Sequence, residues 1–173
     1  MSEAPSPACP RPPAGPPGTF RLGHAHPSGV PFPLWYRILR LRCDVFVVEQ
    51  ECAYPELDDL DLRPGTEWWW AVDAAGQLLA SVRVLDGVGT DRVIGRVVAA
   101  QTSRGTGAAT AVFGAALRSC GGADVRLGAQ LVARRWYERF GFVEAGDVYV
   151  EDGIPHVPML HAGDGCGPEN AQP

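Results

Sequence analysis

The sequence holds no Cys-x-x-Cys pair, and its five cysteines, at 9, 43, 52, 120 and 166, are scattered and odd in number. That argues against a disulfide framework and leaves reduced, cytoplasmic thiols as the expectation. Positive charge is short: 15 Lys+Arg against 20 Asp+Glu give a net charge of -5. No basic footprint for nucleic acid is present, and an acidic surface suits cationic small molecules or protein amines better. No stretch approaches the ~20 apolar residues of a membrane span. The first residues lack a basic start followed by an apolar run, so no signal peptide is expected. No glycine loop ends in Gly-Lys-Ser/Thr, which sets aside a P-loop, and none has the third glycine of a dinucleotide fold.

What is present amounts to one domain: 173 residues, 46% hydrophobic and 20% charged, enough apolar material for a sizeable core. Residues 1–18 are rich in Pro, Ala and Gly and are expected to be a disordered tail, as are 162–173. The folded part is expected over 19–161. It is organised around residues 92–120. RVIGRVVAA (92–100) is a β-branched run of strand length, QTSRGTGA (101–108) a small polar loop, and AATAVFGAALRSC (108–120) an apolar stripe at helical spacing. A strand feeding a glycine loop that opens a helix holds anions. The first helical amides lack partners inside the helix, and the helix dipole puts partial positive charge there.

In chain order, Thr19–Leu22 reads as a short first strand. Pro33 suits a helix start, and Leu34, Ile38, Leu41 and Val45 mark one amphipathic face. CDVFVVEQECAYPELDDLDL (43–62) reads as a loop dense in carboxylates. Most of these are expected in solvent, and the spacing does not fit an EF-hand. Glu49 follows an apolar run, which places it at the core's edge with desolvation raising its pKa. EWWWAVD (67–73) and LLASVRVLD (78–86) form a hairpin, the tryptophans serving packing. Gly121-Gly122 ends the loop-opened helix. DVRLGAQ (124–130) is a strand. A short helix begun near Leu131 breaks at Gly141, with Val132, Trp136 and Phe140 on one face and Tyr137 off that stripe. FVEAGDVYV (142–150), a turn at 151–153 and a final strand from His156 to His161 complete the order.

Several of these blocks resemble one family. Arg104-Gly105-Thr106-Gly107-Ala108-Ala109 resembles the Arg/Gln-x-x-Gly-x-Gly/Ala signature of the GNAT N-acetyltransferases, and YERFGF (137–142) resembles that family's Tyr-x-x-x-Gly-Phe motif. LRCDVFVVEQECAYPELD (41–58), VIGRV (93–97), RLGAQ (126–130) and VYVEDGIPHVPM (148–159) are similar to its ElaA-like branch. The resemblance covers about residues 34 to 160. It implies an α/β GNAT acyl-CoA N-acyltransferase fold: a central mixed, mostly antiparallel sheet of about six to seven strands flanked by helices. It also implies acetyl-CoA as co-substrate, with no metal. The cofactor would lie between the splayed strands 93–99 and 124–130. Val97, Val98 and Ala99 would offer main-chain groups to the pantetheine arm, and Arg104, Gly105, Thr106, Gly107, Ala108 and Ala109 would hold the pyrophosphate. Tyr137 matches the tyrosine that protonates the departing thiolate in many members. One departure is Val132, where the ElaA pattern usually has histidine.

The resemblance implies an N-acetyltransferase working by direct attack in a ternary complex on a small-molecule or peptide amine. A lysine-like amine, with a pKa near ~10.4, must lose a proton before it attacks. Glu49, with a water between, is the first choice of base, then His156 and Glu151. His156 also reads as a residue that fixes the last strand through hydrogen bonds. A backbone N–H of the splayed strand would stabilise the oxyanion. The rival is a GNAT-fold module that binds acyl-CoA or a protein partner without transfer, but such a module would lose the tyrosine or the glycine loop. A nucleotide hydrolase fits less well, because no lysine follows the glycines.

Overall fold

The computed structural model describes residues 19–163; the tail expected over 1–18, and all but the first two residues of the one expected over 162–173, lie outside them. The aromatic run Glu67–Asp73 (β2) and the β-branched run Leu78–Asp86 (β3) pair antiparallel through a turn at Gly76, whose φ is 77°. Successive side chains on a strand point to opposite faces, so three consecutive tryptophans cannot pack together. Trp68 is fully buried beside the helix α1 (Phe32–Arg42), and Trp70 packs on the same side. Trp69 points the other way and stacks on His24 at 4.2 Å. His24 belongs to β1 (Phe20–Ala25), which pairs antiparallel with β2 and runs further than the four residues expected.

The sheet has the order β1-β2-β3-β4-β5-β8-β6, with β7 also paired to β8. Here β4 is Arg92–Ala99, β5 Val125–Gln130, β6 Val143–Glu144, β7 Tyr149–Glu151 and β8 Ile154–His161. Only β4 and β5 run parallel. They need a crossover, and α2 (Ala108–Ser119) supplies it. The stretch 142–150 holds β6 and the start of β7, which meet β8 at different points. The final strand starts at Ile154 rather than His156. Asp152 and Gly153, with φ of 49° and 80°, make a two-residue turn that folds β7 straight onto β8.

α2 packs across β2, β3 and β4 on one face and buries Val112, Phe113 and Ala116 in the main core. A smaller cluster of Val30, Ile38 and Trp68 lies under α1 on the opposite face. Phe113 is the hub of the main core. Its ring centroid lies 5.1 Å from Trp136, 5.4 Å from Tyr137, 4.6 Å from Phe140 and 5.8 Å from Phe142. Trp136 and Phe140 of the short helix α3 (Arg134–Glu138) and the turn after it thus lie on the core side as expected, while Val132 and Tyr137 do not follow the expected pattern. Val132 is 92% exposed, and Tyr137 is the residue buried in the core.

The loop expected after α1 is helical at first. Cys43–Glu49 continues α1 as a wider coil with more residues per turn, closed by Gln50 N–H donating to the Val45 carbonyl five residues back at 3.0 Å. Such π turns recur at functional sites, where they re-aim side chains.

Candidate functional site

The parallel pair β4–β5 has only two partnered positions, Arg92 with Val125 and Val93 with Arg126. Beyond them β5 stays on β8 while β4 stays on β3, so the sheet splits into a wedge. From Ile94 to Ala99 the β5-facing edge of β4 carries backbone groups with no strand partner. A cavity of about 750 Å³ fills the split. Its walls are Ile94–Ala99, Gly128 and Gln130 of the two strands, Glu49 and Gln50 of the π turn, Arg104, Tyr137, and the β7–β8 hairpin with Tyr149, Glu151 and His156.

β4 does not run straight along this wall. Ser81 of β3 faces Val98 but Arg83 faces Gly95, so β4 holds one extra residue there. Arg96 sits in it with φ of 50°, a left-handed conformation that costs a non-glycine residue on the order of 1–3 kcal/mol. Arg96 is held by its charge. Its guanidinium pairs with Glu56 at 3.0 Å and Asp58 at 3.2 Å and lies over the Tyr54 ring at 5.7 Å.

Those carboxylates belong to the loop that composition assigned to solvent. The structure overturns that assignment for three of them. Glu56 and Asp61 are buried, and Asp58 is mostly covered. Arg42, wholly buried at the end of α1, donates to Glu56 at 2.5 Å and to Asp61 at 2.8 Å, and lies 4.8 Å over Trp68. Arg83 of β3 reaches Asp61 at 2.5 Å and Asp58 at 2.6 Å. Tyr54 donates its hydroxyl to Glu56. Arginines 42, 83 and 96 thus balance the carboxylates of residues 56, 58 and 61. Burial works against the Asp58 charge, but Arg83, with help from Arg96 and Arg42, outweighs it and holds the carboxyl below its ordinary range.

At the far end of the wedge, Ser103 is pinned through its hydroxyl to the Leu79 carbonyl at 2.6 Å. The chain then passes Gly105 (φ 77°) and Gly107 (φ 89°) into α2. Both conformations require glycine, and a Cβ at either position would meet nothing within 4 Å, so bare backbone faces open space. Among the described residues the amides of Gly105 and Gly107 make no hydrogen bond. Thr106 Oγ1 donates to the Ser103 carbonyl at 2.7 Å and accepts from the Ala108 amide at 3.4 Å. This loop and the open edge of β4 form an extended backbone surface, apolar-walled along the strands and electropositive at the helix start. That fits a long chain ending in a pyrophosphate.

The structure brings Glu49, Val97, Val98, Ala99, Arg104, Tyr137, Glu151 and His156 to one cavity, while Gly105, Thr106, Gly107, Ala108 and Ala109 form the turn beside Arg104 rather than its walls. Glu49 does not carry the raised pKa expected of it. Its carboxylate is about 40% exposed and takes both Nη atoms of Arg104 at 2.7 Å, and that bidentate pair holds it below the ordinary range. Burial pushes the Tyr137 phenol upward, so it stays protonated at neutral pH. His156 Nδ1 lies 2.8 Å from the Ile154 carbonyl. A carbonyl only accepts, so Nδ1 carries the hydrogen, and in the neutral form of the ring Nε2 then holds the lone pair. The expected strand-fixing bond is therefore present, and it leaves the other nitrogen available.

Sequence reasoning missed other walls of the cavity: Cys52, Tyr54, Arg83, Arg96, Tyr149, and the pair Gln50–Gln130, bonded at 2.9 Å. Arg96 carried a signal, a charge in the middle of an apolar strand. Gly128 carried another, because a Cβ there would sit 2.5 Å from the Tyr149 hydroxyl. Among the described residues no group of three metal-ligating side chains exists, and no helix is long and apolar enough to cross a membrane.

Comparison with known proteins agrees with this geometry. The profile of the acetyltransferase (GNAT) domain matches residues 46–161. UPF0039 protein Rv2851c of Mycobacterium tuberculosis is 41% identical over 133 residues, covering 75% of this chain and 85% of that one. Protein ElaA of Escherichia coli is 38% identical over 132 residues, covering 72% and 84%. The crystal structure of an acyl-CoA N-acyltransferase from Pseudomonas aeruginosa superposes with a TM-score of 0.77 at 39% identity, covering 83% of this chain and all of that one. A split β4–β5 pair, a glycine loop opening α2 and a matching profile over most of the folded residues have one reading: the chain belongs to the GNAT acetyltransferase family, in its ElaA-like branch.

Proposed function

We propose that this protein is an N-acetyltransferase that moves the acetyl group of acetyl-CoA to an amine acceptor by direct attack in a ternary complex. The observation that carries the reading is the wedge between β4 and β5, with Tyr137 in its wall and the glycine loop at its end. Acetyl-CoA supplies an acyl group activated as a thioester. The residues present supply everything else. The free edge of β4 at Val97, Val98 and Ala99 pairs with the pantetheine amides. Arg104 and the loop from Gly105 to Ala109, through its unbonded amides at Gly105 and Gly107, take the pyrophosphate. A main-chain N–H beside the Arg96 bulge is the donor for charge that develops on the acyl oxygen.

Tyr137 is the acid. Burial keeps its phenol protonated, so the proton is in place at the cavity wall for a departing thiolate, whose charge at that spot draws it over. The proton lost by the amine goes to Glu49, through water, or to the free Nε2 of His156, which borders the same cavity. The charge of the cavity supports an amine as acceptor. Arg83 and Arg96 are neutralised by Asp58, Asp61 and Glu56, and Arg104 by Glu49. Glu151 and Asp152 at the rim have no ion-pair partner among the described residues, so the mouth is net negative and attracts an ammonium group. We read the location as cytoplasmic, which the free thiols of Cys43, Cys52 and Cys120 support.

The test is thiol release from acetyl-CoA by the purified protein across a panel of amines: peptide N-termini, lysine peptides, polyamines and aminoglycosides. Amine-dependent release with an acetylated product is expected. Tight acetyl-CoA binding without release on any acceptor would favour a binding module instead.

A further inference from the structure

The pair between Arg104 and Glu49 joins residues 55 positions apart, and it closes on the one arginine of the glycine loop. Both guanidinium Nη atoms are used, each at 2.7 Å from a carboxylate oxygen. A guanidinium fork matches a carboxylate and a phosphate equally well, so its Nη1–Nη2 edge serves one or the other. Glu49 holds that edge in the free protein. It comes from the π turn, whose wider winding places it there, and its side chain and that of Arg104 are 40% and 42% exposed, so the pair is open to an incoming anion. Glu49 also borders both the main cavity and a neighbouring one of about 430 Å³ beside α1. A carboxylate released from Arg104 therefore has room to move without disturbing the core.

We infer that Glu49 is an internal stand-in for the cofactor's pyrophosphate, displaced from Arg104 when acyl-CoA binds, so that its carboxylate is released toward the acceptor only in the cofactor-loaded state. This deepens the acetyltransferase reading and rests on it. The exchange breaks one ion pair and forms another, with no net proton or bond change. Its consequence is order. Before acyl-CoA binds, Glu49 is tied to a cation and is a poor proton acceptor. Afterwards it stands free in a cavity whose remaining unpaired charges are negative, a setting that restores its affinity for a proton. A cationic acceptor thus meets a working base only when the acyl donor is already in place.

The test is calorimetric titration with coenzyme A of the full chain and of Glu49→Gln, Arg104→Gln and the double variant, each checked for an unchanged melting transition. Removing the competing carboxylate should tighten coenzyme A binding about two- to five-fold, the range expected for an exposed pair. Arg104→Gln should weaken binding, and adding Glu49→Gln to it should change nothing more. An unchanged or weakened affinity in Glu49→Gln would overturn the inference and make Glu49 a support for Arg104 rather than its competitor. A gain that persists without Arg104 would also overturn it, as simple relief of charge repulsion. If the unaltered protein does not bind coenzyme A at all, the acetyltransferase reading itself falls.

Discussion

Tyr137 is packed on three sides by Phe113, Trp136 and Phe142, and its hydroxyl makes no hydrogen bond among the described residues. Tyr137→Phe therefore keeps the ring contacts and removes only the proton. The expected outcome is an unchanged melting temperature, an unchanged acetyl-CoA KM and a fall in kcat of ~10²–10⁴. Steady-state kinetics on the two proteins checks this, and full activity would mean that solvent protonates the thiolate. The same residue scale holds a contrast between two carboxylates. Glu49 and Asp58 are both held below their ordinary range, but Glu49 by one arginine at an exposed position and Asp58 against opposing burial. The first can exchange its partner and the second cannot.

At the scale of the element, the turn from β4 into α2 has one function that the sequence can lose at a single position. Gly107 caps α2 in a left-handed conformation with φ of 89°. Gly107→Asp strains that backbone and places a carboxylate where the helix start attracts an anion. Acetyl-CoA affinity should fall about tenfold or more while far-ultraviolet dichroism stays native. Calorimetry on the folded variant decides it, and unchanged affinity would move the pyrophosphate elsewhere. The π turn is a second element with a site role. Without its extra residue per turn, Glu49 would be rotated away from Arg104, and no ordinary helical spacing in the sequence marks it.

Across the whole molecule, the buried charges of Arg42, Arg83 and Arg96 with Glu56, Asp58 and Asp61 tie α1, the acidic loop and the β3–β4 hairpin together. Removing one member leaves its partners buried and uncompensated. Arg42→Met should cost ~3–5 kcal/mol in chemical denaturation and lower the melting temperature by about 10 °C. The cluster also sets an acid limit. The Asp58 carboxyl is depressed in the folded state, so its contribution is complete above the unfolded value near ~3.9 and is lost as pH falls through the lower folded value. Stability measured by denaturant should drop with pH in that acid window, and Asp58→Asn should be less stable at neutral pH and show a shallower drop. An identical slope in the variant would assign the acid sensitivity to other groups.

The order of elements, the hairpin, the glycine loop with its helix and the family itself were legible in the sequence. Each rests on signals that are local: hydrophobic period, glycine where φ is positive, and short motifs in a fixed order. The positions of Tyr137, His156 and Arg104 at one cavity followed from those motifs. Tertiary structure alone decided the state of the charges. Glu56, Asp58 and Asp61 look in sequence like any acidic loop, and their burial depends on Arg42, Arg83 and Arg96, which lie between 14 and 40 residues away in the pairs they form. Glu49 looked like a desolvated acid because its neighbours in the chain are apolar, yet its neighbour in space is Arg104. A carboxylate's energy is set by the charges and water within a few ångströms, and only the fold brings those there.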